Sequence, residues 1–106
     1  MILIRTEFQC KWGRVQEVVD SFKAMSERID TQKVIKRARI MTDLSGRFDT
    51  VVVESEVESI DAYLAMMQAA FANPEFQAAQ AAIVNPPQQS GSRTFYTIEA
   101  AYELKG

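Results

Sequence analysis

Histidine is absent from this chain. With it go the commonest general base, the commonest nitrogen ligand for metals and the usual axial ligand of haem. Cysteine occurs once, as Cys10, so no internal disulfide forms. A lone thiol fits a reducing compartment, and the expected location is cytoplasmic. Without a histidine base Cys10 is a poor nucleophile, and its place in an alternating run reads as a small core residue. Tetrahedral zinc needs more nitrogen or sulfur than this, so no metal is expected. A strong charge of either sign is missing too. Twelve Lys and Arg against fourteen Asp and Glu leave a net −2, too little to imply nucleic acid or an anionic membrane as partner. Nor does any apolar run approach the length of a signal-peptide core or a membrane span.

What is present is an ordinary globular balance, 47% apolar and 25% charged over 106 residues. That is the size of one domain, spanning 1–106. Such a chain buries a real core with little surplus, so pairing with a second copy would help. Residues 2–11 alternate, with Ile2, Ile4, Thr6, Phe8 and Cys10 on one side and Leu3, Arg5, Glu7, Gln9 and Lys11 on the other. A period of two predicts a strand. From Trp12 the period changes: Val15, Val18, Val19, Phe22, Met25 and Ile29 mark an amphipathic helix over about 13–28.

A polar break at 30–32 precedes a second strand at about 33–42. Residues 43–47 then turn, with Gly46 free to take a positive φ, and 48–57 form a third strand. Ser59 caps a second helix carrying Ile60, Tyr63, Leu64, Met67 and Phe71. Asn73-Pro74 interrupts and restarts it, since asparagine caps well and proline suits the first helical position. Pro86-Pro87 stop it near Asn85, 88–92 read as a loop, and 93–102 as a fourth strand. The order βαββαβ is the ferredoxin-like pattern, an α+β fold with a four-stranded antiparallel sheet and helices on one face.

Helices cover one side of such a sheet. Ile2, Ile4, Phe8, Val34, Ala38, Ile40, Val51, Val53, Val57, Tyr96, Ile98 and Ala100 are expected to meet them. The opposite face then collects Arg5, Glu7, Arg37, Arg39, Glu54, Glu56, Arg93 and Glu99 among Leu3, Ile35, Met41, Val52, Phe95 and Thr97. Four arginines and four glutamates among large apolar groups suit neither open solvent nor a dry core, because each unpaired buried ion costs several kcal/mol. A partly covered face with paired charges fits best.

Four segments carry a family likeness: Lys11-Trp12-Gly13-Arg14 leading into the first helix, the Leu44-Ser45-Gly46-Arg47-Phe48 turn, Asn73-Pro74-Glu75-Phe76, and Ser90-Gly91-Ser92-Arg93-Thr94-Phe95-Tyr96. With the βαββαβ order they resemble the dimeric α/β-barrel superfamily, nearest to small NIPSNAP-like proteins and more distantly to antibiotic-biosynthesis-monooxygenase-like domains. These are turns and helix starts, so they speak for fold more than for activity. The resemblance implies a homodimer whose sheets pack face to face around a barrel lined by the mixed face.

Arg5, Glu7, Arg37, Arg39, Glu54 and Glu56 are the candidate ligand-binding cluster. Arginine gives planar two-point hydrogen bonds to an anionic or carbonyl-bearing molecule, and glutamate takes a proton where desolvation raises its pKa. The same six also read as ion pairs that set sheet register and dimer pairing. Glu7, Glu54 and Glu56 as ligands for a hard cation are opposed by the interleaved arginines. Trp12 reads as a ring closing the end of a core, and Tyr96 as a structural aromatic on the helix side. Met66 and Met67 with Tyr63 and Phe71 read as helical core. Lys33, Lys36, Arg37 and Arg39 split between faces with no stacking platform for bases.

The function that follows is small-molecule binding in the barrel interior, without cofactor and with no catalytic residue assigned. One alternative is a cofactor-independent monooxygenase or isomerase in which Arg5, Arg37 or Arg39 orients an enolate-like substrate and Glu7 or Glu54 is the base. The other is a structural module with no ligand.

Overall fold

A computed structural model describes residues 1–104, and at residues 29 and 30 the backbone alone. The elements are β1 (Ile2–Cys10), α1 (Val15–Ser26), α2 (Ile29–Val34), β2 (Ile35–Thr42), β3 (Thr50–Val57), α3 (Ile60–Ala72), α4 (Pro74–Ala81) and β4 (Gln88–Thr97). The strands form one antiparallel sheet in the order β2-β3-β1-β4. This is the ferredoxin-like α+β arrangement. The polar break expected before β2 is instead the short helix α2, which contributes Val34 to the core. The expected role of Ile29 in the α1 stripe lies outside the described side chains. No helix among the described residues is long and apolar enough to cross a membrane.

Local chemistry accounts for the boundaries. The Ser59 hydroxyl accepts the Ala62 N–H at 3.2 Å, and Asn73 Oδ1 accepts those of Glu75 and Phe76 at 2.8 and 3.3 Å. Each satisfies donors that a helix start leaves orphaned. The β1–α1 junction is tied to the β2–β3 hairpin: Gly13, at φ +73°, donates its N–H to Asp49 Oδ1 at 3.1 Å. Trp12 does not close a core. It is 81% exposed and meets the Phe48 ring edge-on at 6.0 Å across that junction.

Two strand positions depart from the sequence reading. β4 starts at Gln88, so the expected loop 88–92 is strand, and the alternation in its second half is reversed. Arg93 pairs with Thr6 and Phe95 with Ile4, which places both on the helix side; Thr94 pairs with Arg5 and Tyr96 with Leu3 on the open side. Both faces of β4 carry aromatics, so pattern alone cannot choose between registers one residue apart, and the ladder with β1 decides. Glu99 and Ala100 lie beyond the strand end. In β2 an irregularity between Ile35 and Arg37 places Ile35 opposite Val57 on the helix side, where it packs on Ile4, Val57 and Tyr63.

The core has two parts. Under α1, Cys10, Val18, Val19, Val51 and Val53 are buried with Phe8 and Phe22 against them. Under α3, Ile4, Val57 and Tyr63 are buried with Met66 and Met67. Phe8 needs Gly91 opposite it on β4. A Cβ there would sit 2.9 Å from the Phe8 ring and 3.3 Å from the Glu7 carbonyl oxygen. Gly91→Ala is therefore expected to cost about 1–2 kcal/mol in urea unfolding, as overpacking does. In a Phe8→Leu background the cost should shrink by about 0.5 kcal/mol or more; an equal cost in both would show that the ring is not what the methyl meets.

Candidate functional site

The open face carries the charges in cross-strand rows. Arg39, Glu54 and Arg5 stand side by side on β2, β3 and β1; the next row holds Arg37, Glu56 and Leu3. Arg39 donates from Nε and Nη2 to Glu54 Oε1 at 2.9 and 2.6 Å, and Arg5 Nη1 to Oε2 at 2.9 Å. The Glu54 side chain is only 9% exposed, while those of Arg5 and Arg39 are 40% and 73%. Hydrogen bonds from Arg39 hold the Glu54 carboxyl below the usual carboxylate range; burial opposes this and Arg5 reinforces it. Arg37 Nε lies 3.3 Å from Glu56 Oε2. Five of the six candidate residues thus form two ion-pair groups. Glu7 shares their face, exposed between Val52 and Ser92, and has no ion-pair partner among the described residues. Arg93, expected with them, faces the helices instead, and Glu99 lies beyond the end of β4.

On the other side of the sheet a cavity of about 650 Å³ separates strands from helices, within the ~300–1,000 Å³ common for ligand pockets. It arises because the helix-facing rows change character between the two core clusters. One row reads Ala38, Ser55, Ile4, Phe95 and the next Ile40, Val53, Thr6, Arg93. Small or polar Ala38, Ser55 and Thr6 stand where larger side chains would fill the space. Phe22 and Met25 of α1, Tyr63 and Met67 of α3, and Phe76 of α4 supply apolar walls.

Three polar groups converge on this lining. Arg93 Nε donates to Thr6 Oγ1 at 3.1 Å, and its guanidinium carbon lies 5.9 Å from the centre of the Tyr63 ring. Burial pushes the Tyr63 phenol up, against a smaller lowering by Arg93, so it stays protonated and able to donate. Among the described residues no Asp or Glu lines the cavity, and no group of three His, Cys, Asp or Glu gathers as a metal site. Thr6 was the visible signal for this site, a polar residue in the otherwise apolar alternation of β1. Tyr63, Met66 and Met67 hold the core position that their helical spacing predicts and also line this cavity.

Solved structures share this architecture. A NIPSNAP domain protein from Burkholderia xenovorans aligns over 94% of this chain and 96% of its own at 24% identity, with a TM-score of 0.73. MhuD, crystallised with two manganese protoporphyrin IX molecules per active site, aligns over 97% and 99% at 14% identity and 0.74. An antibiotic biosynthesis monooxygenase aligns over 94% and 100% at 14% identity and 0.67. The fold is theirs. At these identities the likeness is one of fold, and function has to be argued from the site. No protein-family model and no curated protein matches the sequence.

The arginine-bracketed carboxylate has a measurable signature. Because Glu54 has a lower pKa folded than unfolded, its contribution to stability is complete above the ordinary glutamate value, about 4.3. It is lost as pH falls through the folded-state value. Glu54→Gln is expected to cost about 1–2 kcal/mol at pH 7, the arginines being partly solvated, and progressively less toward pH 3. A cost in urea unfolding that does not change with pH would contradict the assignment.

Proposed function

We propose that this protein binds a small, largely apolar organic molecule in the cavity between sheet and helices, and that it does so as a homodimer joined through the open sheet faces. The cavity carries the reading: it combines ligand-sized volume, aromatic and methionine walls, and a few convergent polar groups. The ion-pair face supports the second half. Glu54 and Glu56 are already paired with Arg5, Arg39 and Arg37, and Leu3, Met41 and Val52 are only half-buried beside them. Arg5, Glu7, Arg37, Arg39, Glu54 and Glu56 would then face their symmetry mates and set the pairing of two sheets, with Glu7 open to a partner's cation.

Binding fits better than base-catalysed turnover. An enolate mechanism needs a carboxylate or imidazole near the substrate with a raised pKa. This chain has no histidine, its cavity lining includes no described carboxylate, and Glu54 is held in the wrong direction for a base. Nor does the metalloporphyrin of MhuD suit these residues. The Cys10 thiol is buried under α1 outside the cavity lining, and the Tyr63 phenol is held protonated, so no anionic axial ligand is offered.

Two measurements test the reading. Light scattering on the eluting protein should give twice 12.0 kDa at micromolar concentration, and a stable monomer would remove the dimer. Calorimetry with naphthalene-sized compounds should give a saturable site that Ala70→Phe, projecting a ring into the cavity from α3, weakens about tenfold or more (about 1.4 kcal/mol). Binding that is absent, or indifferent to Ala70→Phe in a variant that still melts cooperatively, would place any ligand elsewhere.

A further inference from the structure

Among the described residues, the charged residues that border the cavity are all cationic: Lys23, Lys36, Arg37, Arg39 and Arg93. This is notable in a chain whose net charge is −2. Two of the five are already committed, since Arg37 and Arg39 are paired with Glu56 and Glu54 on the opposite face. Lys36 turns its Nζ to the Lys33 carbonyl oxygen at 3.1 Å, and Lys23 stands exposed on α1. Arg93 is different. It has no carboxylate partner among the described residues, yet its orientation is fixed. Nε donates to the buried Thr6 hydroxyl, and the guanidinium carbon stands over the buried Tyr63 ring, 5.9 Å from its centre.

An arginine anchored through Nε presents its two terminal nitrogens as a ready fork. Arg93 is exposed on β4 and borders the largely apolar lining, so a ligand seated there would cover the fork and strengthen a charge-assisted hydrogen bond by excluding water. No Asp or Glu among the described residues lines the cavity to answer it, so the complementary charge would come with the ligand.

We propose that the cavity selects an organic anion, a carboxylate on a flat apolar body, with Arg93 as the residue that grips the carboxylate. The rings of Phe8, Phe22, Tyr63 and Phe76 with the Met25 and Met67 thioethers take the flat body. Thr6 is a positioning residue, acting through Arg93, and the protonated Tyr63 hydroxyl is a second donor to the anion. Lys23 and Lys36 raise the local potential at the lining and draw anions toward it. This rests on the reading of the cavity as a binding site.

The test compares 2-naphthoate with its methyl ester, equal in shape and different in charge, by calorimetry on the intact protein. The acid is expected to bind at least tenfold more tightly than the ester at low salt. Arg93→Gln should bring the ratio within about twofold, while Arg93→Lys should retain part of it, which separates lost charge from lost folding. Thermal melting confirms that each variant is folded. Equal affinity of the native protein for acid and ester would overturn the anion proposal while leaving the cavity as a binding site. Binding of neither compound would overturn both. A preference that survives Arg93→Gln but disappears in Lys23→Gln or Lys36→Gln would remove Arg93 from the role.

Discussion

Hydrogen bonding along both edges of β1 is the constraint on which the rest of this molecule depends. β1 is ladder partner to β3 on one side and to β4 on the other. Its alternation therefore propagates across the sheet: every residue level with Ile4, Thr6 or Phe8 faces the helices, and every residue level with Leu3, Arg5 or Glu7 faces away. A slip by one residue on either side would exchange the two faces of the neighbouring strand. The charged rows, the divided core and the cavity all follow from this one registration.

The two faces then meet different physical demands. On the open face, charges are tolerable because opposite signs stand directly across from one another, and Glu54 gains two arginines without a long side chain having to fold back. On the helix face the floor is small or polar in the middle, and the helices rest on the apolar clusters at either side. α1 packs on Val51 and Val53, and α3 on Ile4 and Val57. A helix layer supported at both margins spans the gap between them, and packing lost over Thr6 and Ser55 leaves the cavity. The stability forgone there, since close packing is the rule in protein interiors, is consistent with space reserved for a ligand.

Much of this was legible along the chain. The strand and helix types follow from periods of two and of three to four, and the Ser59 and Asn73 starts from side chains that bond their own backbone. The pairing of Arg5, Arg37 and Arg39 with Glu54 and Glu56 was implicit in their common parity. The Gln88–Ser92 stretch was not legible as strand, because its polar residues have weak β preference and only the ladder with β1 holds them extended. Arg93 was assigned to the wrong face for a related reason. With Phe95 and Tyr96 adjacent, the alternation of β4 has no unique phase, and Thr6 and Tyr63 settle it from distant parts of the chain.

Local order and element type belong to the sequence alone, because hydrophobic period, capping and turn chemistry act over a few neighbouring residues. From the same source come the lack of a histidine for catalysis or metal binding and the near balance of charge. The phase of β4, the inward turn of Ile35 and the space between sheet and helices were decided only in three dimensions. Each depends on which strand edges meet and on how far apart two layers come to rest, and no window of the chain contains both partners.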